Sequence, residues 1–129
     1  AEMIRVKGNI TANHVVGVKK SYGNIEKFKA KLIKFEDLDI CPDIMKINIE
    51  GYEKILVPSI PINVWEKCDA FIEIHSEEDR RVLFDYFNEI GVNIFSQKIC
   101  WSKSKKVDDL PIDYNEGNIF ISKKAKMPW

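Results

Sequence analysis

A chain of 129 residues and 15.0 kDa, 45% hydrophobic and 31% charged, has the profile of a globular protein, which excludes a disordered tail. The 20 Lys and Arg residues balance 20 Asp and Glu, so no whole-molecule field draws the chain to nucleic acid or to an anionic bilayer. No apolar run approaches the roughly 20 residues of a membrane-spanning helix, and the opening AEMIRVKGNI lacks the apolar core of a signal peptide. The expectation is a cytoplasmic protein with no membrane and no nucleic-acid partner. Cys41, Cys68 and Cys100 are odd in number and widely spaced, without paired CxxC ligands, which suggests reduced, mostly buried thiols and no metal.

In chain order, residues 14–20 (HVVGVKK) form a β-branched run, and in residues 27–35 (KFKAKLIKF) Phe28, Ala30 and Leu32 alternate with lysines. That period of two predicts half-buried strands, and the turn residues SYGN between them predict an N-terminal β-hairpin. Residues 43–50 (DIMKINIE) and 69–75 (DAFIEIH) are mostly apolar with polar groups near their ends, as in strands covered on both faces of a parallel sheet. Between them a short helix is expected from about Gly51 to before Pro58, followed by an irregular return through Pro61 and Trp65. Ser76 as N-cap and Gly91 beyond the C-terminus bracket the clearest helix, on which Val82, Leu83, Phe84, Tyr86, Phe87 and Ile90 line one side. Residues 92–101 read as a strand, residues 102–117 as a polar loop and residues 118–124 as a closing strand. The order is α/β, with the last two strands forming an antiparallel pair, and no linker or repeat divides residues 1–129, so a single domain is expected.

In an open parallel sheet, ligands bind beyond the carboxyl ends of the strands, where loops diverge and helix N-termini point. The two central strands deliver Asn48, Glu50 and Gly51, and Glu73, His75 and Ser76, to that rim. Two carboxylates, an amide and an imidazole suit acid/base work, a divalent metal or the orientation of a polar substrate. Each residue has a structural alternative. Glu50 suits the dipole of the following helix, Glu73 suits a sheet-edge lysine, His75 suits a solvated position beside an N-cap, and Asn48 needs hydrogen-bond partners in an apolar strand. Lys103, Lys105, Lys106, Lys123, Lys124 and Lys126 read as solvated charges, and Trp65, Trp101 and Trp129 are not interleaved with a basic stripe. No GxGxxG, P-loop or GxSxG pattern occurs.

The stretch PDIMKINIEGYEKILVPSI followed by FIEIH resembles the FkbM family of S-adenosylmethionine-dependent methyltransferases. In that family a strand ends in a K-[ILV]-D-[ILV]-E-G-[AY]-E type of motif and a later strand ends in E-[ILV]-H. Lys46, Glu50, Gly51 and Glu53 match the first motif, with Asn48 in place of its aspartate, and Glu73 and His75 match the second. The likeness spans roughly residues 30 to 124, the carboxyl-terminal half of such an enzyme. It implies a partial Rossmann-like sheet of the class I methyltransferase type, mainly parallel, with a closing antiparallel pair. It also implies methyl transfer from S-adenosylmethionine to a hydroxyl of a small molecule or sugar. Glu50 and His75 would act on the substrate as catalytic residues, and Asn48 and Glu73 would help to bind it. The residues that would bind the cofactor stay unassigned, because the family's glycine-rich turn has no counterpart. A second reading is an inactive remnant serving as a binding module, which predicts a homo-oligomer through an exposed sheet edge.

Overall fold

The structure, a computed structural model, describes residues 1–7, 9–17 and 20–129. The described chain is mixed α/β, with two sheets. In the first, β1 (Glu2–Val6) is central, flanked by β2 (Asn9–Val15) and β3 (Ile25–Lys29), and all pairing is antiparallel. The hairpin expected from the sequence is therefore corrected. The segments of residues 14–20 and 27–35 do not pair with each other. His14 and Val15 face Ile4 and Met3, while residues 25–29 run beside Val6 to Glu2. The reason lies in EMIRV, whose period of two buries Ile4 and Val6 and so makes a strand that takes both neighbours. Val18 and Lys19, part of the first expected strand, lie outside the described residues. The lysine-alternating stretch buries little: Phe28 is half-buried beneath the Arg5 guanidinium, and Leu32 is 54% exposed.

The second sheet contains β4 (Ile44–Ile47), β5 (Asp69–Glu73), β6 (Asn93–Ser96), β7 (Ser102–Lys103) and β8 (Asn118–Ser122), in the order β4-β5-β8-β6-β7. Only β4 and β5 pair in parallel; β8 runs antiparallel to both β5 and β6, and β7 antiparallel to β6. The pairing is thus mostly antiparallel, although β4, β5 and β6 all point the same way. The expected antiparallel closing pair exists as β6 and β8, but β8 inserts between β5 and β6. Ser122 Oγ donates to Asp69 Oδ1 at 2.6 Å and Lys124 Nζ to Asp69 Oδ2 at 2.9 Å, fixing the end of β8 to the start of β5. The strand β4 is an edge strand, and Ile44 is 58% exposed, so it is not covered on both faces as its apolar sequence suggested.

The helices α1 (Glu53–Ser59), α2 (Ile62–Trp65) and α3 (Glu77–Glu89) cover one face. There Ile47, Ile72, Ile94, Ile119 and Ile121 meet Val57, Trp65, Leu83 and Phe87, and each buried side chain of this kind contributes about 1.5–3 kcal/mol. Phe71, Phe95 and Phe120 occupy the other face, with Trp101 edge-on and Trp129 stacked at 5.6 Å over Phe71. The expected cap of α3 is present: Ser76 Oγ accepts from Asp79 N at 3.1 Å and donates to Asp79 Oδ2 at 2.8 Å. Gly91 follows with φ +66°, and Lys123 Nζ donates to the Ile90 and Gly91 carbonyls at 3.3 and 3.1 Å.

Three local expectations are corrected. Helix α1 runs through Pro58, because a proline in the last turn forfeits one carbonyl partner near an end that Ser59 Oγ and Ile60 N already close. Residues 92–101 do not make one strand. A 3₁₀ turn over Gln97–Ile99 and left-handed Cys100 and Trp101 reverse the chain into β7. Cys41 and Cys100 are exposed and only Cys68 is buried, which pushes its thiol up to about 11. Among the described residues no helix is long and apolar enough to cross a membrane.

Candidate functional site

Parallel pairing brings the carboxyl ends of β4 and β5 to one rim: Ile47 lies beside Ile72, so the chain leaves both strands side by side. Asn48 follows β4, Glu73 ends β5 and His75 lies two residues beyond, just before the α3 cap. Asn48 Nδ2 donates to Glu73 Oε2 at 2.8 Å, and Asn48 Oδ1 lies 3.3 Å from His75 Nε2. Three of the four side chains singled out in the sequence therefore form one chain of contacts. Glu50, the fourth, lies on the β4–α1 connection with φ +61° and is half-buried. The amide that looked costly in an apolar strand has both of its polar atoms in use.

Glu53, which entered above only as a match to a motif, organises the loop. Its side chain is fully buried at the start of α1. Oε1 accepts from Ile49 N at 2.6 Å and Oε2 from Gly51 N at 2.8 Å, so the loop wraps around the carboxylate through left-handed Glu50 and Gly51 (φ +93°). A side chain other than glycine at position 51 is strained in that conformation. Glu53 Oε1 also lies 3.5 Å from His75 Nε2, and Glu73 Oε1 lies 3.8 Å from it. Burial raises the Glu53 carboxyl above its ordinary range, against the opposing pull of the two backbone N–H groups and His75. The legible signal was position: an acid two residues after glycine, opening a helix, can reach back to loop N–H groups.

One residue further, Lys54 Nζ donates to Glu78 Oε2 at 2.6 Å and lies 3.8 Å from buried Asp79, tying α1 to α3. The Glu78 carboxylate raises the Lys54 ammonium above its usual range. A separate groove of about 400 Å³ lies between residues 32–36 and α1, lined by Leu32, Ile33, Phe35, Tyr52, Ile55 and Leu56. Neither Asn48, Glu73 nor His75 lines it.

Chemically, the rim can exchange a proton through His75 and bind polar groups through Asn48 and the carboxylates. Among the described residues, no group of three or more His, Cys, Asp and Glu side chains is placed to hold a metal ion. Among the described residues, the rim offers S-adenosylmethionine no glycine-rich turn. The connection from β4 to α1 has one glycine, Gly51, whose N–H is already taken by Glu53, and residues 74–76 between β5 and α3 have none. No family model, no curated protein and no solved structure matches the chain.

Proposed function

We propose that this chain is the acceptor-side part of an S-adenosylmethionine-dependent methyltransferase resembling the FkbM type, cytoplasmic and acting on a hydroxyl of a small molecule or sugar. The observation that carries the reading is the hydrogen-bonded meeting of the two motif ends, Asn48 with Glu73 at 2.8 Å and with His75 at 3.3 Å. A partial Rossmann-like architecture belongs to the same proposal, supported by the common direction of β4, β5 and β6 and by the helices between them.

In this reading His75 accepts the hydroxyl proton, and the carboxylates of Glu53 and Glu73 stabilise the imidazolium that forms. Asn48 and Glu73 position the ring, and Glu50 orients the acceptor from the loop. The residues that hold the methyl donor are not among those named at the rim. Calorimetric titration with S-adenosylmethionine, run beside a methyl-transfer assay on simple sugars, tests the proposal. Micromolar binding with transfer that is lost in His75→Gln supports it. Absence of both overturns it for the isolated chain.

A second reading, a binding module without catalysis, is favoured by one feature: β4 ends the sheet as an edge strand with Ile44 exposed. It predicts a dimer in sedimentation equilibrium that Ile44→Lys dissociates, together with no donor binding.

A further inference from the structure

Three oxygen atoms face one nitrogen of His75. Nε2 lies 3.3 Å from Asn48 Oδ1, 3.5 Å from Glu53 Oε1 and 3.8 Å from Glu73 Oε1. The direction of the hydrogen bonds can be deduced from Glu73 outward. An ionised carboxylate only accepts, so the Asn48 atom 2.8 Å from Glu73 Oε2 is the amide nitrogen. The amide oxygen is then the atom turned toward His75, and it too only accepts. Both Glu53 oxygens already accept backbone N–H groups from Ile49 and Gly51. A lone pair on Nε2 would face acceptors alone, so the hydrogen of the neutral ring belongs on Nε2.

The other ring nitrogen is in the opposite situation. Nδ1 makes no hydrogen bond among the described residues, and it is absent from the buried polar atoms that lack a partner, so it meets solvent. We propose that Asn48, Glu53 and Glu73 are positioning residues that hold His75 as the Nε2–H tautomer, and that the ring offers Nδ1 to the ligand. The ligand that fits is a hydrogen-bond donor, a neutral hydroxyl compound, whereas a carboxylate or phosphate meets a lone pair and two nearby carboxylates. This ligand class rests on the acceptor-site reading above; the tautomer does not. The proton leaves the hydroxyl oxygen for Nδ1, giving an imidazolium with both nitrogens protonated, and the O–H bonding electrons stay on the oxygen. The asparagine that replaces the motif's aspartate acquires a purpose here, because an aspartate at position 48 has no N–H to give Glu73.

The test is ¹⁵N nuclear magnetic resonance of the full, uniformly labelled chain without any methyl donor, at a pH where the ring is neutral. The two histidines, His14 and His75, are told apart by loss of one signal set in His75→Gln. Two-bond couplings should show Nε2 protonated and Nδ1 unprotonated in a single tautomer. In Asn48→Leu the ring should relax to a mixture of both forms. A Nδ1–H ring or a mixture in the unaltered chain overturns the tautomer claim, and so does an unchanged ring in a folded Asn48→Leu variant. If that variant fails to fold, Asn48→Ala supplies the same comparison. For the ligand class, methyl α-glucoside and sodium acetate are added separately at equal ionic strength. Movement of the His75 Nδ1 signal with the glycoside alone supports the assignment; movement with acetate, or with neither, overturns it. Failure of donor binding in calorimetry would remove the methyltransferase reading and leave the tautomer result standing.

Discussion

Asn48 and Glu53 show how differently two residues of one loop declare themselves. Asn48 was legible, because an amide inside an apolar run demands partners and two polar strand ends were at hand to supply them. Glu53 was not, because its partners are backbone N–H groups, and backbone groups leave no trace in a sequence. Its titration makes a distinctive prediction. A carboxyl whose pKa is raised in the folded chain binds its proton more tightly there than in the unfolded chain, so the stability this supplies declines as pH climbs from the ordinary carboxylate value through the raised one. Glu77, Asp109 and Glu116 are lowered by Arg80, by the Lys105 and Lys106 backbone and by Lys98, and their contributions are lost as pH falls below the ordinary value. Urea unfolding across mildly acidic to neutral pH should show a declining component that Glu53→Gln removes. An unchanged slope in that variant would contradict the assignment.

At the level of elements, periodicity and caps carried the reading where local signals act alone. The α3 cap was predicted from Ser76 and Gly91 and stands as described, and Ser76→Ala should cost about 1 kcal/mol in unfolding free energy. A loss below a few tenths would mean that the Asp79 contacts are dispensable. Strand partners, by contrast, were not legible. Nothing in residues 14–20 or 27–35 states that β1 stands between them, and nothing in NIFIS states that it returns beside β5. The reversal after β6 was hidden because Cys100 and Trp101 adopt positive φ without being glycines. The approach to β8 depends on Gly117 (φ +107°), where an added Cβ would stand 2.5 Å from Gln97 Oε1, the acceptor for Asn118 N. Gly117→Ala should therefore destabilise by more than about 1 kcal/mol, measured by chemical denaturation. A neutral substitution would show that this turn relaxes freely.

Across the whole molecule, stability is distributed unevenly between the two sheets. Among the described residues, Ile4 and Val6, with Val16 against them, form the hydrophobic cluster of the first sheet, whereas fourteen buried residues gather between the second sheet and its helices. Hydrogen exchange should release the amides of β1 and β3 well before those of β5 and β8. Equal protection would mean that the first sheet unfolds only with the rest. The second sheet also does the work on which the functional reading depends, since pairing β4 with β5 joins side chains 25 and 27 residues apart. The most direct test of that convergence is a double-mutant cycle on unfolding free energy with Asn48→Ala, His75→Ala and the pair. A coupling energy of at least about 0.5 kcal/mol is expected, while strict additivity would show that the two strand ends do not meet as described.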